Sequence, residues 1–395
     1  MRILTFTSLF PNATAPNAAI FVYQRISHLA RRAGNHVEVV APVPYAPKFL
    51  KGTSRGCVAL VPKLESIGSL QVHHPRYPLI PAVSMPFHGL LMYAGCLRKA
   101  RILHMQHCFD CIDAHYAYPD GFAATLLGMA LKLPVFISAR GTDVNLFPHF
   151  RTIRPLIVWS LRKTAGIIAV SAALKTSIIG LGIPEESICV IPNGVDSKRF
   201  FPRDRAVTRQ RLKVPSDQNI AVSVGSLTES KNHRLLVSAF AEVLRDYPKS
   251  RLYIIGEGTL RQALEALIRA EQLEKNIVLA GPRPNEEIAL WLSAADVSCL
   301  TSCREGWPNV LMESIACGTP VVATRVGGIP EILCSPELGI LVDENKESVA
   351  AGLKRAFATV WDRRAMKQYA EERGWDNVAT EAASFLETRL GTAKR

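Results

Sequence analysis

The chain contains 395 residues, which is enough for two domains of about 150 to 200 residues each. Hydrophobic residues make up 48% of the sequence and charged residues 21%, a balance that is typical of folded globular proteins and excludes a disordered or fibrous chain. No apolar stretch reaches about 18 residues, so no membrane-spanning helix is expected. The nine cysteines are odd in number and irregularly spaced, which favours a reducing compartment, the cytoplasm, over a disulfide framework.

Positive charge is concentrated in the first half of the chain. Residues 1–198 carry 20 Lys and Arg against 9 Asp and Glu, so they hold +11 of the total net charge of +13. A basic half favours an acidic partner such as an anionic membrane surface or a phosphorylated acceptor, although a basic surface without a partner is also open. A nucleic-acid partner is not expected, because the sequence has no recognition module and no interleaving of aromatic and basic residues.

In chain order, short apolar runs alternate with longer segments of helical periodicity, which predicts parallel strands joined by covering helices. The first run predicts a buried strand rather than a secretory signal. The strands predicted in the first half are residues 3–6, 37–41, 113–115, 135–138 and 166–170, and the first predicted helix is 21–32. Residues 85–103 combine apolar side chains with Arg98, Lys99 and Arg101. They fit an ordinary covering helix and an amphipathic helix on a membrane surface equally well.

The second half repeats the same alternation after a turn at residues 191–196, where Pro192 and the pair Asn193-Gly194 interrupt the pattern. The strands predicted there are residues 220–224, 251–255, 277–279, 297–300, 320–323 and 339–341. Residues 204–213 are charged and show little apolar pattern, and the sequence from residue 349 onward has a helical composition. These features predict a domain boundary near residue 198.

Two carboxylates frame the segment Glu-Gly-Trp-Pro-Asn-Val-Leu-Met-Glu, from Glu305 in a predicted loop to Glu313 on a predicted helix that ends at Gly318. Pro308 suits the first turn of that helix, and Asn309 can satisfy backbone N–H groups there. The start of a helix favours a pyrophosphate. Because carboxylates repel phosphates, the two glutamates are expected to hold a neutral, hydroxyl-rich group. A nucleotide sugar meets both requirements.

The longer run from Glu305 to Ile332 resembles the E-x(7)-E signature of retaining glycosyltransferases of the GT-B fold, the glycosyltransferase family 4-like enzymes also described as glycosyl transferases group 1. The resemblance covers nearly the whole chain and is strongest in residues 191–343. It implies an α/β protein with two Rossmann-like parallel-sheet domains facing a central cleft. Residues 1–198, joined by a C-terminal helix at about 375–395, would be the acceptor side, and residues 199–374 would bind the donor.

On the donor side, the resemblance makes Lys231 the residue that pairs with the diphosphate, and Gly225 lets the backbone approach it. Many relatives have Gly-Arg-Leu at this position, where this chain has Ser226, so one cation is lost. Gly256 and Arg283 follow the next two strands and would line the same pocket. Glu305 would hold the donor sugar and Glu313 the ribose hydroxyls. The backbone groups after Gly306, at Asn309, Val310 and Leu311, would complete the site.

On the acceptor side, His115 ends a predicted strand in the segment Asp-Ala-His-Tyr, where open α/β sheets bind ligands. Many relatives have His-x-His there, and this chain has Asp113 at the first position. His115 is therefore carried over as a catalytic residue together with Lys231 and Glu305. Arg140 and Asp143 follow the next strand, and the resemblance implies that they face the acceptor or the donor phosphate, unless they form a surface ion pair. Asn17 lies in the first loop, where relatives commonly have glycine and this chain has Ala18 and Ala19.

No metal and no cofactor are expected. The sequence has no Asp-x-Asp motif, and the pair Cys108 and Cys111 has no second pair at zinc-like spacing. The predicted function is transfer of a sugar from a nucleotide-diphosphate sugar to a saccharide or lipid-linked acceptor, in cell-surface polysaccharide or glycolipid synthesis, at the inner face of the membrane. A phosphorylase or nucleotide-sugar epimerase on the same fold, or a catalytically silent nucleotide-sugar-binding protein, are the alternatives.

Overall fold

A computed structural model describes residues 1–45, 57–79 and 85–393 of the chain. The chain forms two compact units. The first consists of Met1–Asn193 together with Trp375–Arg395, and the second is Gly194–Gly374. The division between Asn193 and Gly194 falls within the predicted turn at 191–196, a few residues before the predicted boundary near 198. The last two residues of the C-terminal helix predicted at 375–395 lie outside the described residues.

The first unit is built on an eight-stranded sheet, as far as its described residues go, in the order β10-β9-β8-β7-β1-β2-β5-β4. All neighbouring strands are parallel except β4 and β5, and β3 pairs with β6 in a separate two-stranded ladder. The strands are β1 (Arg2–Phe6), β2 (His36–Val40), β3 (Val43–Pro44), β4 (Leu64–Ile67), β5 (Leu70–His73), β6 (Arg76–Tyr77), β7 (Cys111–His115), β8 (Val135–Ala139), β9 (Gly166–Ala169) and β10 (Ile188–Val190). The central strands are almost completely buried, because helices cover both faces of the sheet.

The helices of the first unit connect these strands. They are α1 (Ile20–Arg31), α2 (His88–His107), α3 (Phe122–Leu131), α4 (Thr142–Asn145), α5 (Arg154–Lys163) and α6 (Ala172–Ile179). Helix α6 begins where the side chain of Ser171 accepts a hydrogen bond from the backbone N–H of Leu174, which satisfies one of the free N–H groups of the first turn. Helix α2 buries the stripe Gly89, Met92, Cys96, Ala100 and Leu103, whose spacing of three and four residues defines one helix face.

The second unit is built on a six-stranded parallel sheet in the order β13-β12-β11-β14-β15-β16. Its strands are β11 (Asn219–Val224), β12 (Ser250–Ile255), β13 (Ile277–Gly281), β14 (Val297–Leu300), β15 (Val321–Thr324) and β16 (Gly339–Val342). Its helices are α7 (Arg205–Leu212), α8 (His233–Asp246), α9 (Arg261–Ala270), α10 (Asn285–Ala294), α11 (Asn309–Ala316), α12 (Ile329–Ile332), α13 (Lys346–Ala358) and α14 (Arg363–Glu371). This is the strand order of a doubly wound α/β sheet.

The last helix, α15 (Trp375–Ala393), belongs to the first unit although it follows the second in sequence. Its residues Ala379, Ala383 and Leu386 join Val22 and Ile26 of α1 in one buried apolar cluster. The second unit has its own core, in which Phe240 of α8 and Leu353 of α13 pack with the buried faces of the strands. Each unit therefore has its own hydrophobic core.

The structure also contains elements that the sequence pattern does not predict. Residues 204–213 contain helix α7 (Arg205–Leu212), whose first turn is capped by the Asp204 side chain accepting from the Val207 N–H. The strands β3 to β6 and β10 are likewise absent from the predicted set. Among the described residues, no helix is long and apolar enough to span a membrane.

Candidate functional site

In the second unit, β11 and β14 are neighbours, but the chain leaves them toward opposite edges of the sheet. Such a topological switch point opens a crevice at the carboxyl ends of the two strands, where α/β sheets bind ligands. The loop after β11 carries Lys231, and the loop after β14 carries Glu305. The fold therefore brings together two predicted site residues that are 74 positions apart in sequence.

Lys231 and Glu305 form a direct ion pair. The ammonium Nζ of Lys231 lies 2.5 Å from Oε1 of Glu305, and the hydroxyl of Ser302 donates to the same oxygen at 2.6 Å. Both charged side chains are largely shielded from solvent, with exposed fractions of 21% and 11%. A charge pair in such a setting is held more firmly than one on an open surface. The pairing itself is not predicted from the sequence, which assigns the two residues to different parts of the ligand.

Hydrogen bonds to backbone carbonyl groups hold the two loops against each other. The backbone N–H of Cys303 donates to the carbonyl of Ser230 at 3.0 Å, and the hydroxyl of Thr301 donates to the carbonyl of Asn232 at 3.1 Å. These bonds are independent of the Lys231–Glu305 pair. They fix the separation of the two loops, so the ion pair forms on a preformed support.

Gly327 supports Glu305 from the other side and is a position that sequence reasoning missed. Its φ is +53°, and a Cβ on it would lie 1.9 Å from the carbonyl oxygen of Glu305. Only glycine allows this approach and this backbone conformation together. The signal in the sequence is the Gly-Gly pair at 327–328, which follows β15.

Gly225 and Gly256 lie together at the carboxyl ends of β11 and β12. A Cβ on Gly256, whose φ is +148°, would lie 1.9 Å from the carbonyl oxygen of Gly225, so Gly256 is required for the packing of the two loops. A Cβ on Gly225 would be in van der Waals contact with the side chain of Lys231, at 3.5 Å from its Cε. Ser226 is exposed beside them and lies within 3.5 Å of the Thr228 hydroxyl.

The start of α11 differs from the prediction in detail. Pro308 occupies the N-cap position rather than the first turn, and no side chain caps the helix at that residue. Asn309 is the first helical residue, followed by the partly buried Val310, and Gly306 is buried in the preceding loop. Leu311 is completely buried and its backbone N–H donates to the carbonyl of Pro308 at 3.1 Å. Leu311 therefore supports the helix from inside, and the ligand contact predicted for its backbone stays a prediction.

Glu313 lies one turn further along α11 and is half-buried. Burial is the main reason that the pKa of its carboxyl group is raised to about 7; the charge of Arg199 opposes this shift, and the charge of Asp196 contributes to it. Ionisation of this carboxyl group is costly because the charge is partly shielded from water. Once ionised, the group is a strong hydrogen-bond acceptor. A vicinal diol supplies the two donors that such a group needs.

Arg283 lies at the far side of this edge, after the outermost strand β13. Its side chain is exposed, and its Nε lies 3.5 Å from Oε1 of Glu287 on the following helix. Its assignment to the donor pocket stays a prediction.

In the first unit, β1 and β7 form the corresponding switch point, and Ser8 and Asp120 tie their loops together. The backbone N–H of Ser8 donates to one carboxylate oxygen of Asp120, and its hydroxyl donates to the other at 3.0 Å. Burial raises the pKa of Asp120 to about 7, although the bonds from Ser8 oppose this shift. Neither residue has an assigned role in the sequence prediction.

His115 ends β7 and is completely buried. Its Nε2 lies 3.1 Å from Oδ2 of Asp113, and its Nδ1 accepts a short hydrogen bond from the guanidinium of Arg140. Burial lowers the pKa of His115 to about 4, although Asp113 opposes that shift, so the ring is neutral at physiological pH. Both ring nitrogens are occupied inside the unit. In this conformation the histidine holds Arg140, and its predicted catalytic role stays a prediction.

Arg140 extends the same network to Asn193, whose side-chain oxygen accepts from its Nη1 at 2.8 Å. Arg140 and Asp143 do not form the surface ion pair that was the alternative prediction. The carboxylate of Asp143 is buried and accepts from the backbone N–H groups of Ala117, Arg140 and Gly141, at 2.6, 3.0 and 2.8 Å for the shortest contact of each. Asp143 therefore shapes the loop, and its predicted contact with an acceptor stays a prediction.

Arg25 of α1 completes the buried network and was not identified from the sequence. It is almost fully buried, and its Nη1 donates to the hydroxyl of Ser138 at 2.9 Å. Burial lowers the pKa of Arg25, while the charge of Asp113 raises it. Asp113 thus lies close to the positive charges of two arginines, Arg25 and Arg140. The periodicity of a helix in the sequence does not distinguish a buried arginine such as Arg25 from an exposed one.

Asn17 is exposed in the loop between β1 and α1. Ala19, at the N-cap of α1, has a φ of 45°, a left-handed conformation that costs a non-glycine residue roughly 1–2 kcal/mol. The backbone at Ala19 therefore adopts a left-handed conformation, which glycine would adopt at lower cost. The contact of Asn17 with an acceptor stays a prediction.

Comparison with known sequence families gives two matches that together cover most of the chain. Residues 18–199 match the family described as Glycosyltransferase Family 4, and residues 204–373 match the family described as Glycosyl transferases group 1. The first match ends at residue 199, shortly after the division between Asn193 and Gly194, and the second begins at residue 204, just before α7.

Individual proteins are similar over nearly their full length. D-inositol 3-phosphate glycosyltransferase of Kineococcus radiotolerans is 33% identical, with 91% of this chain and 87% of that protein covered. A protein of Bacillus subtilis named as the teichuronic acid biosynthesis glycosyltransferase TuaC is 28% identical, with coverage of 90% and 89%.

Among solved structures, HepE of Anabaena in complex with UDP is similar in fold. It has a TM-score of 0.74 and 20% identity, with 98% of this chain and 100% of that chain covered. The same protein in complex with UDP-glucose has a TM-score of 0.71. The likeness supports the predicted two-domain fold class.

Proposed function

The chain belongs to the glycosyl transferases group 1, and we propose that it moves a sugar from a nucleoside-diphosphate sugar to a saccharide or lipid-linked acceptor with retention of the anomeric configuration. The acceptor would belong to cell-surface polysaccharide or glycolipid synthesis. The name of the Bacillus subtilis relative, which refers to teichuronic acid biosynthesis, supports that acceptor class. The complexes of HepE with UDP and UDP-glucose support the donor class.

The observation that carries the proposal is the arrangement of Lys231, Glu305 and Glu313 around the switch point of the second unit. The ammonium of Lys231 has three N–H donors, of which one is directed at Glu305. The others would bind the diphosphate. Both protein donors to Glu305 use Oε1, and Oε2 would accept from hydroxyls of the donor sugar. Glu313 would accept from the two ribose hydroxyls.

The proposed reaction breaks the bond between the anomeric carbon and the diphosphate oxygen, and forms a bond from that carbon to an acceptor oxygen on the same face. The acceptor hydroxyl gives its proton to the departing diphosphate, so no protein base is needed. Charge grows on the diphosphate as the bond breaks, and Lys231 stabilises that charge. We propose that this charge is stabilised without a metal, because the sequence has no Asp-x-Asp motif and Lys231 supplies a cation at the site.

The first unit would present the acceptor. Arg140 is half-buried at the carboxyl edge of its sheet and is fixed by His115 on one side and Asn193 on the other. A cation held in this way binds an anionic or hydroxyl-rich group with little loss of side-chain freedom. We propose that His115 acts by positioning Arg140.

Thermal unfolding with nucleotides tests the donor site. UDP, GDP, ADP and CMP are added separately in the presence of a chelator, and a ligand at one hundred times its Kd should stabilise the protein by about 2.7 kcal/mol. We expect UDP to stabilise the protein. Incubation with UDP-sugars and lipid-linked acceptors should then release UDP and yield a glycoside. Formation of a sugar phosphate or an epimer instead would assign the protein to a different reaction. If none of the four nucleotides stabilises the protein, the proposed donor site is contradicted.

Replacing Glu313 by glutamine is expected to alter the pH dependence of stability and of nucleotide binding. The raised pKa means that the folded chain keeps this proton up to about pH 7, whereas the unfolded chain loses it near pH 4. Stability therefore falls as the pH rises through that window. The melting temperature of the variant should be higher than that of the wild type near pH 8, and the two should be about equal near pH 5. Differential scanning calorimetry measures both.

The same variant should bind UDP more weakly near pH 8, because it lacks the carboxylate that accepts from the ribose. The exposed Glu274 provides the matched control, since Glu274→Gln removes an equal charge from the same unit. Titration calorimetry that finds wild-type UDP affinity in Glu313→Gln would contradict the assignment of Glu313 to the ribose.

We also propose that the first unit binds an anionic membrane surface through the outward face of α2. The stripe opposite its buried face begins with the exposed Phe87 and Leu90 and continues with the exposed Arg98 and Arg101. Apolar side chains beside arginines are the composition of an interfacial helix. The excess of +11 in residues 1–198 supports this orientation.

Vesicle sedimentation tests this surface at low salt, where electrostatic binding is strongest. The wild type should sediment with anionic vesicles and not with neutral ones. The double variant Arg98→Gln/Arg101→Gln should lose most of this binding, whereas Arg245→Gln/Lys249→Gln, which removes two exposed charges from the second unit, should not. Equal sedimentation of the two variants would rule out α2 as the membrane surface.

A further inference from the structure

Three side chains with metal-binding atoms meet at the amino edge of the first sheet. His36 begins β2, Glu38 lies two residues later on the same face of that strand, and His107 ends helix α2. One ligand atom from each of the three lies within 4.8 Å of the other two. The group is at the opposite edge of the sheet from His115, so it is separate from the site described above.

The separations fit a shared cation better than they fit hydrogen bonds. Nε2 of His36 lies 3.6 Å and Nε2 of His107 lies 3.9 Å from the same oxygen, Oε1 of Glu38. Both distances exceed the length of an N–H···O hydrogen bond. Ligands placed about 2.0–2.1 Å from a tetrahedral Zn²⁺ are separated by roughly 3.4 Å, which is close to the observed values. A small inward movement of the two partly exposed rings would complete the geometry.

The second oxygen of Glu38 is already held in place. Nε2 of His73 lies 3.1 Å from Oε2 of Glu38, and both side chains are buried. A hydrogen bond to the free oxygen of a ligating carboxylate is the arrangement that orients ligands in metal sites. Nδ1 of His73 is buried without a hydrogen-bond partner among the described residues, so the bond to Glu38 is the contact that fixes this ring.

The two outer rings are also fixed in orientation. The imidazoles of His36 and His107 stack with their centroids 4.7 Å apart and their planes at 29°. Phe109, just after α2, packs against His107 with centroids 5.8 Å apart. The histidines therefore present their Nε2 atoms toward Glu38 on a supported framework rather than on free side chains.

We propose that His36, Glu38 and His107 bind a divalent transition-metal ion of the Zn²⁺ class, with His73 orienting the carboxylate. Two imidazoles and one carboxylate are a ligand set that suits Zn²⁺ and Co²⁺. The ion would join the end of α2 to the start of β2. Because these elements are far apart in sequence, the expected consequence is stabilisation of the first unit.

Titration of chelator-treated protein with Co²⁺, followed by visible absorption, tests the site. We expect one equivalent of Co²⁺ to bind with the bands of a nitrogen and oxygen environment. The double variant His36→Gln/His107→Gln should lose this binding, and His73→Gln should weaken it about 10- to 100-fold. The exposed His149 serves as the matched control, and His149→Gln should bind as the wild type does.

Thermal unfolding gives a second measurement on the same proteins. Zn²⁺ should raise the melting temperature of the wild type and of His149→Gln, but not that of the double variant. The melting temperatures without metal show whether each variant is folded. We expect the double variant to fold, because the side chains of His36 and His107 are partly exposed. Co²⁺ binding that survives in the double variant, a thiolate charge-transfer band, or no binding by the wild type would each overturn the proposal.

Discussion

Replacement of Lys231 by alanine is expected to lower turnover by about 100- to 1000-fold, an effect of the size seen when one donor to a developing oxyanion is lost. Lys231 supplies the positive charge at the switch point of the second unit, and Ser226 stands where many relatives have an arginine. In the proposed mechanism, the departing diphosphate would therefore depend more heavily on this one ammonium group. Steady-state release of UDP from a UDP-sugar measures the effect, and turnover within a few-fold of the wild type would contradict the role of Lys231.

Two further variants separate the loss of charge stabilisation from side effects. Lys249→Ala removes an exposed lysine just before β12 and should leave turnover unchanged. Lys231→Ala leaves the shielded carboxylate of Glu305 without its cation, which by itself can disturb the site. The double variant Lys231→Ala/Glu305→Gln removes that charge as well. Its turnover should be as low as that of Lys231→Ala, and recovery would show that the stray carboxylate was the cause.

Most of the central buried strands of both units could be predicted from the sequence because they are short, largely apolar runs. Strand β11 was predicted at 220–224 and observed at Asn219–Val224, and β14 was predicted and observed at residues 297–300. Strand β4 was missed, because only part of its surface is buried and its pattern resembles a loop. Two-residue strands such as β3 carry no periodicity at all.

The candidate site was only partly predictable for a different reason. Spacing places Glu305 in a loop and Glu313 on the following helix, and both positions agree with the structure. Spacing cannot show that Lys231 reaches Glu305, because that contact depends on the order of strands in the sheet. Nor can it show that Gly327 packs against the backbone of Glu305, since that contact joins two loops that follow different strands.

The replacement of Asp113 by histidine is expected to destabilise the protein by about 3–5 kcal/mol, although it restores the residue that many relatives have. Asp113 is completely buried and accepts from His115. Burial by itself would raise the pKa of Asp113, but His115, Arg25 and Arg140 together lower it, so the carboxylate is charged at neutral pH. The substitution leaves two buried arginines without this negative charge.

Urea unfolding at neutral pH measures the loss. The exposed Asp217 provides the control, and Asp217→His should change stability by less than about 0.5 kcal/mol. Asp113→Asn keeps the shape of the side chain and should still lose most of the stability, because the charge is the larger contribution. The lowered pKa means that the carboxylate stabilises the fold above about pH 4 and that this contribution disappears in acid. The difference between the wild type and Asp113→Asn should therefore shrink as the pH falls.

The double variant Arg25→Gln/Asp113→His distinguishes a charge effect from a steric one. If histidine is unfavourable because Arg25 lacks a counter-charge, removing Arg25 should recover roughly 0.5–3 kcal/mol, the usual coupling between residues of one buried network. If histidine simply does not fit, the two losses should add. Recovery would mean that Arg25 and Asp113 act as a pair, and that the departure of this chain from the His-x-His pattern is compensated by an arginine in α1.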